Sequence, residues 1–427
     1  MEGSVNAETA LVAALRAAAG HWYGVPGYPV TGIAAGLGAR LPANEKVGLE
    51  NCLGHSLSGR RSGLVVKHVG LNACADPLVQ ATTRGISAGV VVVVGDDVTA
   101  RWSENTQDSR YYGELAEVPV LEPDGRAVAD AVEEAFRISE AASRVALLRV
   151  TPALLESDAA PAPRPAESHP STCPVADLTM KGRAARASRG TRDLFRWAAA
   201  SRLNRPGRGA IGVGAADGDA RVITVYPPPP GIGTAAEVRE FGRPFVREHR
   251  GLRPPADPGE PETYARRGRR SVLCADCPFA PVIALLRDRN LIPVCDTGCA
   301  LMATAPPFSH GVAGYGLGSS IGVAATSTGV ALIGDYALLH SGINALIDAH
   351  AHGTPLLCIV LENRCLAMTG RQPHHGVEPY LAWAAPIVLD ATDHAGLARA
   401  IAPFDRTTTV IVRGDCPEGA RYGTMEC

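Results

Sequence analysis

Gly334-Asp335-Tyr336, a helix-like run at 341–352, an apolar strand-like run at 356–361, then Glu362-Asn363-Arg364-Cys365: this stretch decides how the chain is read. An acid ends one buried strand and an amide ends the next, so the two loops can hold a divalent ion between them. Hard oxygen ligands of this kind, completed by water and phosphate, suit Mg²⁺. Without an ion, the same residues are an Asp closing a strand and an Asn capping a loop. Just upstream lies Gly311-Val-Ala-Gly314-Tyr-Gly316-Leu-Gly318-Ser319-Ser-Ile-Gly322. Small residues let backbone N–H groups approach an anion, and a helix starting near Gly318 and Ser319 would turn its positive end towards phosphate.

Working outward, strands are expected at 330–333, 356–361, 387–389 and 408–412, which makes 272–427 an α/β unit. A second unit is read over 1–153, from apolar runs at 64–66, 90–94 and 145–150 and a helix-like segment at 127–142. Continuous β-branched runs suit strands buried on both faces of a parallel sheet. The region between them, 154–271, opens with a Pro/Ala linker signal at 159–165 and carries four prolines at 227–230 and an apolar run at 222–225. Its Arg266-Arg267-Gly268-Arg269-Arg270 cluster reads as a solvated linker face, or as a phosphate-binding patch. The expected fold is therefore α/β, with two parallel-sheet domains joined by a shortened middle segment.

The whole chain of 427 residues, 46% hydrophobic with a net charge of −2, argues against a protein built around nucleic acid or an anionic membrane. No apolar stretch is long enough to span a bilayer. No basic segment precedes an apolar core at the N-terminus, so no secretory signal is expected. The 11 cysteines are scattered and odd in number, which does not make a disulfide framework. A reducing, cytoplasmic setting is the expectation.

The Gly334-Asp335 and Asn363 pattern resembles the diphosphate-metal motif of thiamine diphosphate enzymes. Such chemistry needs one carboxyl group near N1′ of the aminopyrimidine, and an apolar pocket lets that carboxyl share a proton. Glu45, in Asn44-Glu45-Lys46-Val47, is the candidate and Glu50 is its rival.

Longer runs carry a more specific resemblance. They are Asn44-Glu45-Lys46-Val47-Gly48-Leu49-Glu50, Lys67-His68-Val69-Gly70-Leu71-Asn72, Ala75-Asp76-Pro77-Leu78, Gln107-Asp108-Ser109-Arg110-Tyr111-Tyr112 and Pro119-Val120-Leu121-Glu122-Pro123. In the second half they are Gly318-Ser-Ser-Ile-Gly322, Gly334-Asp335 with His340, and Asn363-Arg364 leading into Ala367-Met368-Thr369-Gly370-Arg371-Gln372-Pro373. Together they resemble the large subunit of indolepyruvate ferredoxin oxidoreductase, a thiamine diphosphate-dependent 2-oxo acid enzyme.

The resemblance implies a pyrimidine-binding domain over 1–153 and a diphosphate-binding domain over 272–427. It implies thiamine diphosphate and Mg²⁺ as cofactors, with Asp335, Asn363 and the Cys365 carbonyl on the metal. Gly318, Ser319, Gly334, Tyr336, Ala367 and Met368 fall on the cofactor side, and Glu45 falls at the activating glutamate. Lys67, His68 and Asn72 lie in a run resembling the family's pocket. His68 and His340 are the acid–base candidates.

The likeness also breaks. The relatives' C-terminal cysteine runs, which hold [4Fe–4S] clusters, have no counterpart in the last stretch, where only Cys416 and Cys427 occur. No iron–sulfur cluster is expected, and Cys274-Ala-Asp-Cys277, even with Cys295 and Cys299 downstream, makes a poor zinc or cluster site. Tyr28 stands where the relatives carry a small hydroxyl residue, and Phe279 where they carry an imidazole. The expected activity is non-oxidative: cleavage of a 2-oxo acid to CO₂, as a decarboxylase releasing an aldehyde or a carboligase releasing an acyloin. The alternatives are a redox subunit whose clusters sit on a separate ferredoxin or partner, and a degenerate scaffold. A homodimer or larger assembly is expected, with active sites between pyrimidine-type and diphosphate-type domains.

Overall fold

The computed structural model describes residues 5–97, 100–105, 107–125, 127–159, 178–201, 203, 225–226, 256–417 and 423–426. They form two compact units, Met1–Pro174 with Met180–Pro261, and Val175–Thr179 with Glu262–Cys427.

The first unit is a six-stranded sheet in the order His21–Gly24, Ser62–Lys67, Val90–Gly95, Ala146–Val150, Val120–Leu121, Val225–Tyr226. All neighbours are parallel except the last pair. Val90, Val91, Val92, Val93 and Val94 are all fully buried, as a strand covered on both faces requires. Helices Ala7–Ala18 and Val128–Ala142 supply one covering layer, packing Leu11, Leu15, Val132 and Phe136 into the core. Helix Met180–Ala200, within the expected middle segment, belongs to this first unit. Most of the remaining middle, the four prolines among it, lies outside the described residues. Of the run at 222–225 only Val225 is described, and of the linker at 159–165 only Ala159, which pairs with Val5.

The second unit is a six-stranded, fully parallel sheet in the order Val312–Ala313, Val294–Cys295, Val330–Gly334, Leu356–Glu362, Thr407–Arg413, Ile387–Asp390. The four strands expected from the sequence are present. Two local expectations are corrected. The helix expected to open at Ser341 starts directly at the end of the strand: a turn at Asp335–Ala337, a π-helical stretch at Leu338–Gly342, then Ile343–Ala351. Gly334 is the extended residue at that N-terminus, and Asp335 Oδ1 accepts the Tyr336 N–H at 2.7 Å. The Arg266–Arg270 cluster is no linker face. It forms a helical turn at Tyr264–Arg267 and a strand at Arg269–Val272 that pairs antiparallel with Gly423–Glu426. The Arg270 guanidinium lies 4.3 Å from the centroid of the Tyr264 ring, a cation–π contact.

One buried polar cluster in the first unit carries a pH consequence. The His21 and His55 rings stack at 3.9 Å, Arg60 Nε donates to His55 Nδ1 at 3.1 Å, and His55 Nε2 lies 3.1 Å from Tyr23 Oη. Because Nδ1 accepts, the proton of the neutral ring is assigned to Nε2. Burial, then His21, Arg60 and Arg40, push the His55 pKa down to about 3 from 6.5. A folded pKa below the unfolded one contributes nothing to stability above pH 6.5, where both states are neutral. Below it the unfolded chain takes up a proton that the folded protein refuses, so stability falls with a slope of up to one proton. The His55→Gln variant should therefore lose less stability than the parent between about pH 7 and about pH 5, read as urea midpoints. Equal losses would show that His55 does not carry this dependence.

Candidate active site

In the second unit the ends of the parallel strands and the loops after them enclose a cavity of about 340 Å³. Seven expected residues line it: Gly334, Asp335, Tyr336, Asn363, Cys365, Ala367 and Met368. Pairing in register places Gly334 beside Leu361, so Asp335 and Asn363 emerge together from adjacent strands. Asp335 Oδ2 accepts the Arg364 N–H at 2.7 Å, which ties the two loops directly. Arg364 lies in the left-handed region at φ 55°, an uncommon choice for a non-glycine residue. This reversal lets the Cys365 N–H return to Asn363 Oδ1 at 3.2 Å. Glu362 anchors the loop from below, accepting from Val377 N–H at 2.7 Å and Arg413 Nε at 2.8 Å.

The electrostatics fit a cation. Burial is the first cause raising the Asp335 pKa, and the Arg364 and Tyr336 amides counter it only in part. Among the described residues no ion pair forms on Asp335, and the only favourable charge acting on this buried carboxylate is that of His374. The Asp335 oxygens and Asn363 Oδ1 are hard donors with lone pairs to spare. The Cys365 carbonyl accepts from Ala367 N–H at 3.0 Å and keeps a second lone pair. No three His, Cys, Asp or Glu side chains converge as a metal site among the described residues. An ion held here would use these few protein oxygens together with oxygens of water or ligand, the habit of Mg²⁺.

Gly318 and Ser319 stand elsewhere. The amides of Gly318 and Ser320 donate to the two carboxylate oxygens of buried Asp296, at 2.8 and 2.9 Å. Ser319 Oγ is occupied by Tyr315 N–H and the Gly316 carbonyl. The chain thus places its own carboxylate where an external phosphate was expected. Gly318 is needed for a different reason. At φ +84° a Cβ there would lie 2.3 Å from Ser341 Oγ and 2.7 Å from Gly342 N, so its small size admits the π-helical turn.

His340 is exposed, has Ser341 Oγ at 3.3 Å as its only hydrogen-bond partner among the described residues, and does not line the cavity. The cavity residues missed from sequence include Thr297, Gly298, Cys299, Met302 and Leu317. Their available signal was the Asp296-Thr297-Gly298-Cys299 run directly after the short strand Val294–Cys295. Phe279 also lines this cavity, whereas Tyr28 belongs to the first unit. Five free thiols face the same space: Cys274, Cys277, Cys299, Cys365 and Cys416. Cys295 does not join them, being fully buried in the core.

In the first unit, Glu45 opens helix Glu45–Leu57, with Asn44 capping it by accepting from Val47 N–H at 2.9 Å. The Glu45 side chain lies over Gly70, where a Cβ would come within 2.6 Å of Oε1. It makes no side-chain hydrogen bond or ion pair among the described residues. Glu50, by contrast, is buried and ion-paired to Lys46. His68 is fully buried, with Nε2 3.1 Å from Asn105 Oδ1 and Nδ1 unpartnered. Asn72 and Gln107 exchange amide hydrogen bonds at 3.0 and 2.9 Å, and Gln107 also donates to the His68 carbonyl at 3.2 Å. Lys67 packs its aliphatic stem on Gly27. His68 and Asn72 thus share one hydrogen-bonded patch, while the structure gives Lys67 no such tie.

Residues 296–410, which contain Asp335 and Asn363, match the family profile of the thiamine pyrophosphate enzyme C-terminal TPP-binding domain. This stretch is therefore similar to a thiamine diphosphate-binding domain. The Methanothermobacter marburgensis indolepyruvate oxidoreductase subunit IorA is 27% identical, over 87% of this chain and 76% of its own length. The IorA subunit of Methanothermobacter thermautotrophicus is 28% identical, over 82% of this chain and 72% of its own. The resemblance to the indolepyruvate oxidoreductase large subunit therefore holds across most of both chains. Among solved structures, the thiamine diphosphate-dependent 4-hydroxybenzoylformate decarboxylase of Rhodococcus jostii RHA1 aligns over 97% of this chain and 100% of its own. Its TM-score is 0.56 at 16% identity, which speaks for the fold, an α/β thiamine diphosphate-binding architecture with two parallel-sheet domains. No helix among the described residues is long and apolar enough to cross a membrane.

Proposed function

We propose that this chain is the thiamine diphosphate-binding subunit of a 2-oxo acid oxidoreductase of the indolepyruvate type. The observation that carries the reading is the match to IorA subunits over most of both chains. It favours oxidation with a separate electron-accepting partner over the non-oxidative decarboxylase or carboligase expected from the sequence. A homodimer or larger assembly belongs to the same reading.

Thiamine diphosphate, when bound, would supply the carbon nucleophile and electron sink that decarboxylation of a 2-oxo acid needs. The chain's own residues hold and tune it. Asp335, Asn363 and the Cys365 carbonyl would hold Mg²⁺, with Gly334, Tyr336, Ala367 and Met368 on the diphosphate side. Glu45, which makes no side-chain hydrogen bond or ion pair among the described residues, would give its carboxyl to the aminopyrimidine. His68 keeps a free ring nitrogen for proton transfer, with Asn105 and the Asn72–Gln107 pair fixing the ring's surroundings.

The test is to incubate the purified protein with thiamine diphosphate, Mg²⁺ and a panel of 2-oxo acids including indolepyruvate, following CO₂ with and without coenzyme A and methyl viologen. Turnover that continues only with the viologen acceptor supports the proposal. Sustained CO₂ release with aldehyde or acyloin and no acceptor overturns it in favour of non-oxidative chemistry.

A further inference from the structure

We propose that Cys274 and Cys277 form a reversible dithiol–disulfide site on the wall of the cavity, oxidised by small-molecule disulfides. Both are free thiols lining that space. The Cys277 N–H donates to the Cys274 carbonyl at 3.2 Å, closing a four-residue turn. Such a turn holds its end Cα atoms within about 7 Å, and a disulfide spans about 4.4–6.8 Å. The turn therefore already holds the two Cα atoms within the range that a disulfide spans. The Ala280 N–H, donating to the Cys277 carbonyl at 3.1 Å, fixes the turn to helix Ala280–Asp288. The other thiols of this cavity lie on three separate segments, at Cys299, Cys365 and Cys416.

The two cysteines are not equivalent, and this orders the reaction. Cys274 is partly exposed, whereas Cys277 is 8% exposed. Burial is the first cause pushing the Cys277 thiol up to about 12, while the Phe279 N–H lowers it in part. Cys274 is therefore the attacking group and Cys277 the resolving one. With oxidised glutathione, the Cys274 thiolate attacks one sulfur and the reagent's S–S bond breaks. A mixed disulfide forms on Cys274, and one glutathione leaves with the proton that Cys274 gave up. Cys277 then loses its proton and attacks the Cys274 sulfur, expelling the second glutathione. Two protein thiols have lost two electrons and two protons, which the reagent has gained.

Trypsin cleavage after Arg270 and Arg287 yields a single peptide, 271–287, that carries Cys274 and Cys277 and no other cysteine. The full-length protein would be equilibrated across ratios of reduced to oxidised glutathione, quenched, alkylated with N-ethylmaleimide under denaturing conditions and analysed by mass spectrometry. The expected result is conversion of this peptide from two maleimide adducts to none, with a mass two hydrogens lower than the dithiol, reversed by dithiothreitol. In Cys277→Ser, Cys274 should collect a stable glutathione adduct at least about tenfold faster than Cys277 does in Cys274→Ser. A peptide that keeps both adducts at every ratio overturns the proposal. So does cross-linking of Cys274 or Cys277 to Cys299, Cys365 or Cys416. The unsubstituted protein alone decides between these outcomes, so the proposal stays testable if a variant fails to fold.

Discussion

Asp335→Ala loses Mg²⁺-dependent thiamine diphosphate binding, with affinity falling by about 100-fold or more in calorimetric titration at fixed Mg²⁺. Asp335 is a buried carboxylate lining this cavity that forms no ion pair among the described residues, and it carries half of the oxygen pair that emerges from adjacent strands. Removing it takes away the negative charge that a divalent ion needs. It also leaves the amides of Arg364 and Tyr336 without their acceptor, which loosens the very loop that presents Asn363. Asp335→Asn separates the two effects. The amide oxygen can still accept hydrogen bonds, so the fold should hold while metal-dependent binding fails. Affinity within about threefold of the parent in both variants would remove Asp335 from the metal.

Glu45→Gln stops turnover while leaving cofactor binding nearly intact. The expected fall in kcat is about 100-fold or more, with thiamine diphosphate affinity changed by less than about threefold. Gln keeps the shape that packs on Gly70 but can no longer share a proton with a ring nitrogen. Glu50→Gln is the informative comparison. It breaks the buried pair with Lys46, so its effect should appear in the denaturant midpoint rather than selectively in kcat. Unchanged turnover in Glu45→Gln would transfer the role elsewhere.

Much of this arrangement was legible in the chain. Five consecutive valines at Val90–Val94 suit a strand buried on both faces, and the structure buries all five. Leu356–Glu362 reads the same way, and its register with Val330–Gly334 follows from two short parallel strands ending at the same level. Asp335 and Asn363 meet because each stands immediately after such a strand. Local pattern and spacing were enough to bring them together.

The departures from expectation share a cause. Gly318 and Ser319 look like a phosphate cradle because glycine-rich turns before helices often are, but Asp296 already takes the amides of Gly318 and Ser320. A carboxylate 22 residues upstream cannot be seen from the turn itself. His340 resembled an acid–base group by its motif, and the π-helical turn leaves it exposed. Glu45 and Glu50 were indistinguishable by spacing; the resemblance favoured Glu45, and the structure pairs Glu50 with Lys46. The cysteines show the same limit: five residues scattered from Cys274 to Cys416 became one thiol-lined wall.

By itself, then, the sequence determined the layer architecture, the strands and the pair of oxygen donors at their ends. These depend on burial periodicity and on residues adjacent to strands, which are local properties. Tertiary structure alone decided which polar groups are already satisfied and which remain free to bind. That depends on partners far apart in the chain, and no local pattern records whether a buried amide or carboxylate has been claimed by one.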